Sequence, residues 1–119
     1  MRYFVATVVL LLGAAAFGDE YQILRFEATW CGPCQQLKTN MDDDKVKAVI
    51  KKHKIKLTRI DIDTDQSSVA AYKVESVPTC ILVIVNAKKE ARVLRRKVGL
   101  LSVDELVKFA EPPKEDDPK

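Results

Sequence analysis

One segment limits the folds open to this chain more than any other. Cys80-Ile-Leu-Val-Ile-Val85 is six apolar residues without a charge. A strand with one wet face alternates apolar and polar positions, whereas a continuous apolar run needs cover on both faces. Cys80–Val85 is therefore expected as a central strand with helices on both sides of its sheet. With 119 residues and 47% hydrophobic content, the chain can bury a single core of that kind. Twenty basic against 17 acidic side chains leave +3, too mild a balance to make nucleic acid the expected partner. No bias toward collagen, coiled coil or wholesale disorder is present.

The flanking pattern supplies the other elements. Tyr21–Ala28 reads as a strand with Ile23, Leu24 and Phe26 apolar. Cys31 to about Met41 reads as a helix opened by Gly32-Pro33, since proline is tolerated in a first turn. Asp42-Asp43-Asp44 offers an N-cap and negative charge to a further helical segment, Lys45–His53, with Val46, Val49, Ile50 and His53 on one face. Lys56–Ile62 is a second strand, and Asp65 caps a short helix through Tyr72. Ala91–Val98 is a strand loaded with Arg92, Arg95, Arg96 and Lys97, the charge expected of an edge that must resist pairing with other chains. Ser102-Val103-Asp104-Glu105 is a capping box, and Leu101 and Leu106 form its hydrophobic staple. The order β-α-β-α-β-β-α is an α/β layer with a mixed sheet.

The ends differ from the middle. Arg2 precedes an uncharged stretch whose centre, Val5–Phe17, is mostly Val, Leu and Ala. Ala16-Phe17-Gly18 has small residues at its first and third positions, and Asp19-Glu20 turn polar. This is the pattern of a secretory signal peptide over 1–18, short for a membrane span of about 20 residues. The alternative is that the segment forms a first strand and helix of the domain, although it lacks the polar face such a helix shows to water. Residues 19–110 are the expected domain. Residues 111–119, with three prolines and six charges, read as a disordered tail.

The chemistry is expected at Trp30-Cys31-Gly32-Pro33-Cys34, between a predicted strand and a predicted helix. Cysteines at i and i+3 can approach the Cα separation of about 5.5–6 Å that a disulfide requires. The first lies at a helix start, where free amides and the helix dipole stabilise a thiolate, so its pKa should fall below about 8.5. Cys34, a turn deeper, can attack a mixed disulfide held on Cys31. A zinc site needs two more ligands, and His53 and Cys80 form no second tight pair; no metal is expected. Covalent haem requires histidine after the second cysteine, where Gln35 stands. A purely structural disulfide stays open, though so small a loop constrains the unfolded chain little. His53 reads as a helix-end or partly buried histidine and Cys80 as a buried inert thiol.

Five blocks in order, WCGPC at 30–34, Ile60-Asp61-Ile62-Asp63, Tyr72, Ser76-Val77-Pro78-Thr79 and Val98-Gly99-Leu100-Leu101-Ser102, resemble the thioredoxin family from about Tyr21 to Ala110. The resemblance implies a thioredoxin-like fold, Cys31 as attacking and Cys34 as resolving thiol, and a cis Val77–Pro78 bond facing them. It further implies a groove for an extended substrate segment lined by Trp30, Gly32, Pro33, Val77, Pro78 and Gly99. Departures from the pattern are Arg25, where the family has a buried acid, Thr39, where it has a helix-kinking proline, and a glycine-free turn near Asn86–Lys89. Glu27 shares a strand face with Arg25 and is a candidate to replace the acid in proton transfer; the alternative is a modest surface ion pair with Arg25.

The expected function is reduction of protein disulfides through the Cys31/Cys34 pair, with no metal or organic cofactor. The expected partners are disulfide-containing client proteins and an upstream electron donor. The expected state is a monomer, secreted or periplasmic, or cytoplasmic if residues 1–18 stay on, with membrane contact limited to the signal peptide. The rival classes are a binding module without redox turnover and a disulfide oxidase or isomerase.

Overall fold

A computed structural model describes residues 19–113. The segment 1–18 and the tail residues 114–119 lie outside the described residues. The elements are β1 (Glu20–Glu27), α1 (Gly32–Met41), α2 (Asp44–Lys52), β2 (Lys56–Asp61), α3 (Gln66–Tyr72), β3 (Thr79–Val85), β4 (Ala91–Val98) and α4 (Val103–Ala110). The four strands form one mixed sheet in the order β2-β1-β3-β4. β1 runs parallel to β2 and antiparallel to β3, and β3 is antiparallel to β4. The apolar run expected at the centre is there: β3 lies between β1 and β4, and its residues Thr79–Val83 are buried.

Alternation along the strands divides the core between two faces. Ile23, Cys80 and Leu82 face one side and meet Leu37 and Met41 of α1, Val46 of α2, and Leu106, Phe109 and Ala110 of α4. Leu24, Phe26, Ile60, Ile81 and Val83 face the other and meet Val69 and Tyr72 of α3 and Val74 beyond it. Phe26 and Tyr72 stack edge to face with ring centroids 5.9 Å apart. Each fully buried Leu, Ile or Phe contributes about 1.5–3 kcal/mol, so the two faces together hold the sheet between its helices.

Local signals fix the helix ends. Asp43 accepts the Lys45 amide at the start of α2, and Asp65 accepts that of Ser68 in α3. Ser102 and Glu105 satisfy each other's amides at α4, with Leu101 and Leu106 both in the core. The edge arginines do more than repel other strands. Arg95 Nη1 donates to the carbonyls of Lys108, Phe109 and Glu111 at 3.1, 2.7 and 2.9 Å, closing the end of α4. Arg96, pointing to the opposite face, donates to the Tyr72 carbonyl at the end of α3. Cations at carbonyl ends complement the helix dipole.

Candidate active site

The site is built where β1 turns into α1. The Cys31 amide donates to the Ala28 carbonyl at 3.2 Å, closing a tight corner. Cys31 is the N-cap of α1, and its Sγ accepts the Cys34 amide hydrogen at 3.1 Å. An oxygen usually fills that role; here the unpaired amides of the first helical turn face a sulfur instead. Pro33 occupies the first turn, where a missing N–H leaves nothing unpaired. Cys34 is bonded to Cys31 in a disulfide, their Cα atoms 5.2 Å apart. Both cysteines are buried with Ala28, and Ile62 and Val77 pack against them. Gly32 and Pro33 are exposed.

The remaining groove residues converge on this corner. Trp30 is 67% exposed, and its Nε1–H donates to Asp63 Oδ2 at 3.0 Å. Asp63 lies just beyond β2, its own amide held by Asp61 at 2.9 Å. The Val77–Pro78 bond is cis, as the resemblance implies. The Pro78 carbonyl accepts the Gly99 amide at 2.8 Å, joining the start of β3 to the end of β4. Gly99 has φ +102°, and an added Cβ would meet no atom within 4 Å. Glycine is needed there for backbone conformation, not for space. Val98 and Leu100 on either side stay exposed at 62% and 46%.

Glu27 is buried one residue before Ala28, which packs with Cys31 and Cys34. Its Oε1 lies 2.9 Å from Arg25 Nε, an off-line approach that makes an ion pair without a hydrogen bond. Its Oε2 accepts from Arg59 Nε, and Arg59 also lies 3.8 Å from Asp61. The Arg25–Glu27 pair expected as a surface alternative is thus buried, because both residues point beneath the helical layer that covers Ile23 and Cys80. Cys80 stands opposite Arg25 across the β1–β3 ladder and is fully buried. Burial pushes its thiol up to about 12, with Arg25 opposing the shift, so it is no nucleophile near neutrality. His53 caps the end of α2 and pairs with Glu111.

Two residues of this region had no role in the sequence reading. Asp63 sits inside the quoted Ile60–Asp63 block, but its bond to Trp30 spans 33 positions. Arg59 lies opposite Arg25 in the parallel register, and register between distant strands leaves no local signal in a sequence.

Two buried cysteines one helical turn apart, the first facing free amides, form a centre that exchanges two electrons as dithiol and disulfide. Fold and site together therefore define a thiol–disulfide oxidoreductase. The family model for thioredoxin matches residues 15–111. Thioredoxin of Haemophilus influenzae is 31% identical over 87 residues, 73% of this chain and 74% of that protein. Thioredoxin of Echinococcus granulosus is 36% identical over 72 residues, 60% of this chain and 63% of that protein. Among solved structures, thioredoxin-2 of the malaria parasite superposes with a TM-score of 0.61 at 28% identity, over 76% of this chain and 81% of that one. The chain belongs to the thioredoxin family, and its activity is that of a protein-disulfide reductase working through the Cys31–Cys34 pair.

Proposed function

We propose that Cys31 is the attacking thiol, Cys34 the resolving thiol, and that the protein works on exported clients. The observation that carries the first part is the Cys34 amide directed at Cys31 Sγ. A donor already aimed at that sulfur favours its thiolate over its thiol. The Cys31 thiolate attacks one sulfur of a client disulfide; that bond breaks, a mixed disulfide forms, and the departing client sulfur takes up a proton. Cys34, deprotonated, then attacks the Cys31 sulfur and releases the second client thiol. Two electrons pass to the client, and Cys31–Cys34 ends as the disulfide described above. An external dithiol donor must restore it. The redox pair is the protein's own, so the reaction calls on no added cofactor.

In the same reading an extended client segment lies across Trp30, Gly32, Pro33, Val77, Pro78 and Gly99, with the backbone of Val77 offered to it as to a strand. Glu27 supplies the carboxylate that takes the Cys34 proton, in place of the acid that Arg25 displaces. Export rests on the pattern Arg2, Val5–Phe17 and Ala16-Phe17-Gly18. The malarial relative, described as a component of the parasite's protein secretion machinery, fits that setting. Removal of 1–18 would leave Asp19 as the first residue, which intact mass of protein recovered from the producing cells reads directly.

A Cys34→Ser variant is expected to accumulate clients bound covalently at Cys31, releasable by an added thiol. If that variant traps nothing while the Cys31→Ser variant does, the two roles are reversed.

A further inference from the structure

Beside the groove, β4 and α4 enclose a cleft of about 450 Å³ lined by Arg95, Lys97, Glu105, Lys108 and Phe109. Three of the five carry positive charge. Glu105 is the opposing one, and its Oε1 is already held by the Ser102 amide at 2.8 Å. The Ser102 backbone and side-chain hydrogen bonds keep its carboxyl below the usual carboxylate range. Arg95 is fixed by its three carbonyls and Lys97 and Lys108 are exposed. Phe109, buried beneath them, supplies an apolar floor. The positions follow from register: Arg95 and Lys97 oppose Leu82 and Cys80, and so stand on the face of the sheet that α4 covers.

The cleft lies a short way along β4 from the groove. Lys97 is two residues from Gly99, whose amide is bonded to the Pro78 carbonyl; at about 3.3 Å per residue that is a span of roughly 7 Å. Exposed Leu100 lies just beyond Gly99, whereas Val98 points to the opposite face of the sheet. A client segment extended over Val77 and Gly99 and running on by three or four residues reaches the cations. Resting on the groove assigned above, we propose that this cleft selects among clients: it binds acidic residues that flank the reactive disulfide, so clients with Asp or Glu beside the target cysteine are the preferred substrates.

Like-for-like peptides test this. Two synthetic disulfide peptides, identical except that four flanking residues are Asp in one and Ser in the other, are reduced by the full protein with a chemical dithiol as donor. At low salt the acidic peptide is expected to show about tenfold higher kcat/KM, a preference that collapses near 0.5 M salt because exposed charges are screened. The doubly substituted Lys97→Glu, Lys108→Glu protein is expected to lose the preference and keep its rate on the Ser peptide. Both side chains are exposed, so the fold should tolerate the changes, and the salt series on the unaltered protein needs no variant at all. Equal kcat/KM for the two peptides at low salt, or a preference that survives both salt and charge reversal, overturns the proposal. If neither peptide is reduced, the groove and thiol assignments themselves fail.

Discussion

Glu27 shows what one residue can be asked to do in a low-dielectric place. Its carboxylate lies between Arg25 and Arg59, and Arg25 is the more deeply buried of the two. Removing one partner of a buried pair leaves the other charge uncompensated, which costs about 3 kcal/mol or more. Glu27→Gln keeps the size but not the charge. It is expected to lower the denaturant midpoint by that order and to change the pH–rate profile of disulfide reduction on its alkaline or acidic limb. A stability loss with an unaltered profile would leave Glu27 a structural ion-pair partner and remove it from proton transfer. The sequence alone placed Glu27 on the right strand face, because alternation is local. It could not supply Arg59, which reaches Glu27 from a separate strand 32 positions away.

At the scale of elements, the helix ends show how a glycine-poor chain stops its helices. Lys54 and Lys73 both take φ +54°. The Ile55 amide reaches back to Ile50 at 2.9 Å and Lys54 to Lys51 at 3.2 Å; Val74 likewise reaches Val69 and Lys73 reaches Ala70. This is the paired closing bond of a Schellman end, usually built around glycine. In the second case Val69 and Val74 pack in the same core cluster, and that burial secures the left-handed turn despite the side chain. Lys73→Gly relieves the strain against a gain in unfolded-chain freedom. It is expected to stabilise the protein by about 0.5–1 kcal/mol, read as a rise in the urea midpoint at constant slope. A fall in the midpoint would mean that the lysine side chain contributes contacts worth more than the strain. Sequence reading found the starts of these helices, where Asp43, Asp65 and Ser102 announce themselves, and placed the ends within a residue or two. It had no means to see lysines doing a glycine's task, nor that Arg95 and Arg96 close helices instead of merely guarding an edge.

For the molecule as a whole, the central place of β3 and the edge place of β4 were legible in one apolar run and one charged one. Side-chain pairings across long separations, Trp30 with Asp63 and Glu27 with Arg59, depended on the finished sheet. The same distribution governs acid stability. Hydrogen bonds from Ser68, side chain and then backbone, hold Asp65 below its ordinary range, and those from Ser102 do the same for Glu105. Folded values below unfolded ones mean stability that is present above about pH 4 and lost as pH falls through the folded values. Thermal midpoints between about pH 7 and pH 3 should therefore drop less steeply in the Asp65→Asn, Glu105→Gln variant than in the parent; parallel curves would show that other carboxylates govern acid unfolding. Edge strands usually fray before anything else, yet neighbouring arginines of β4 are fastened to helices on opposite sides of the sheet. Peeling that margin away must loosen both helical coverings together, so the outermost strand acts as a rivet through all three layers.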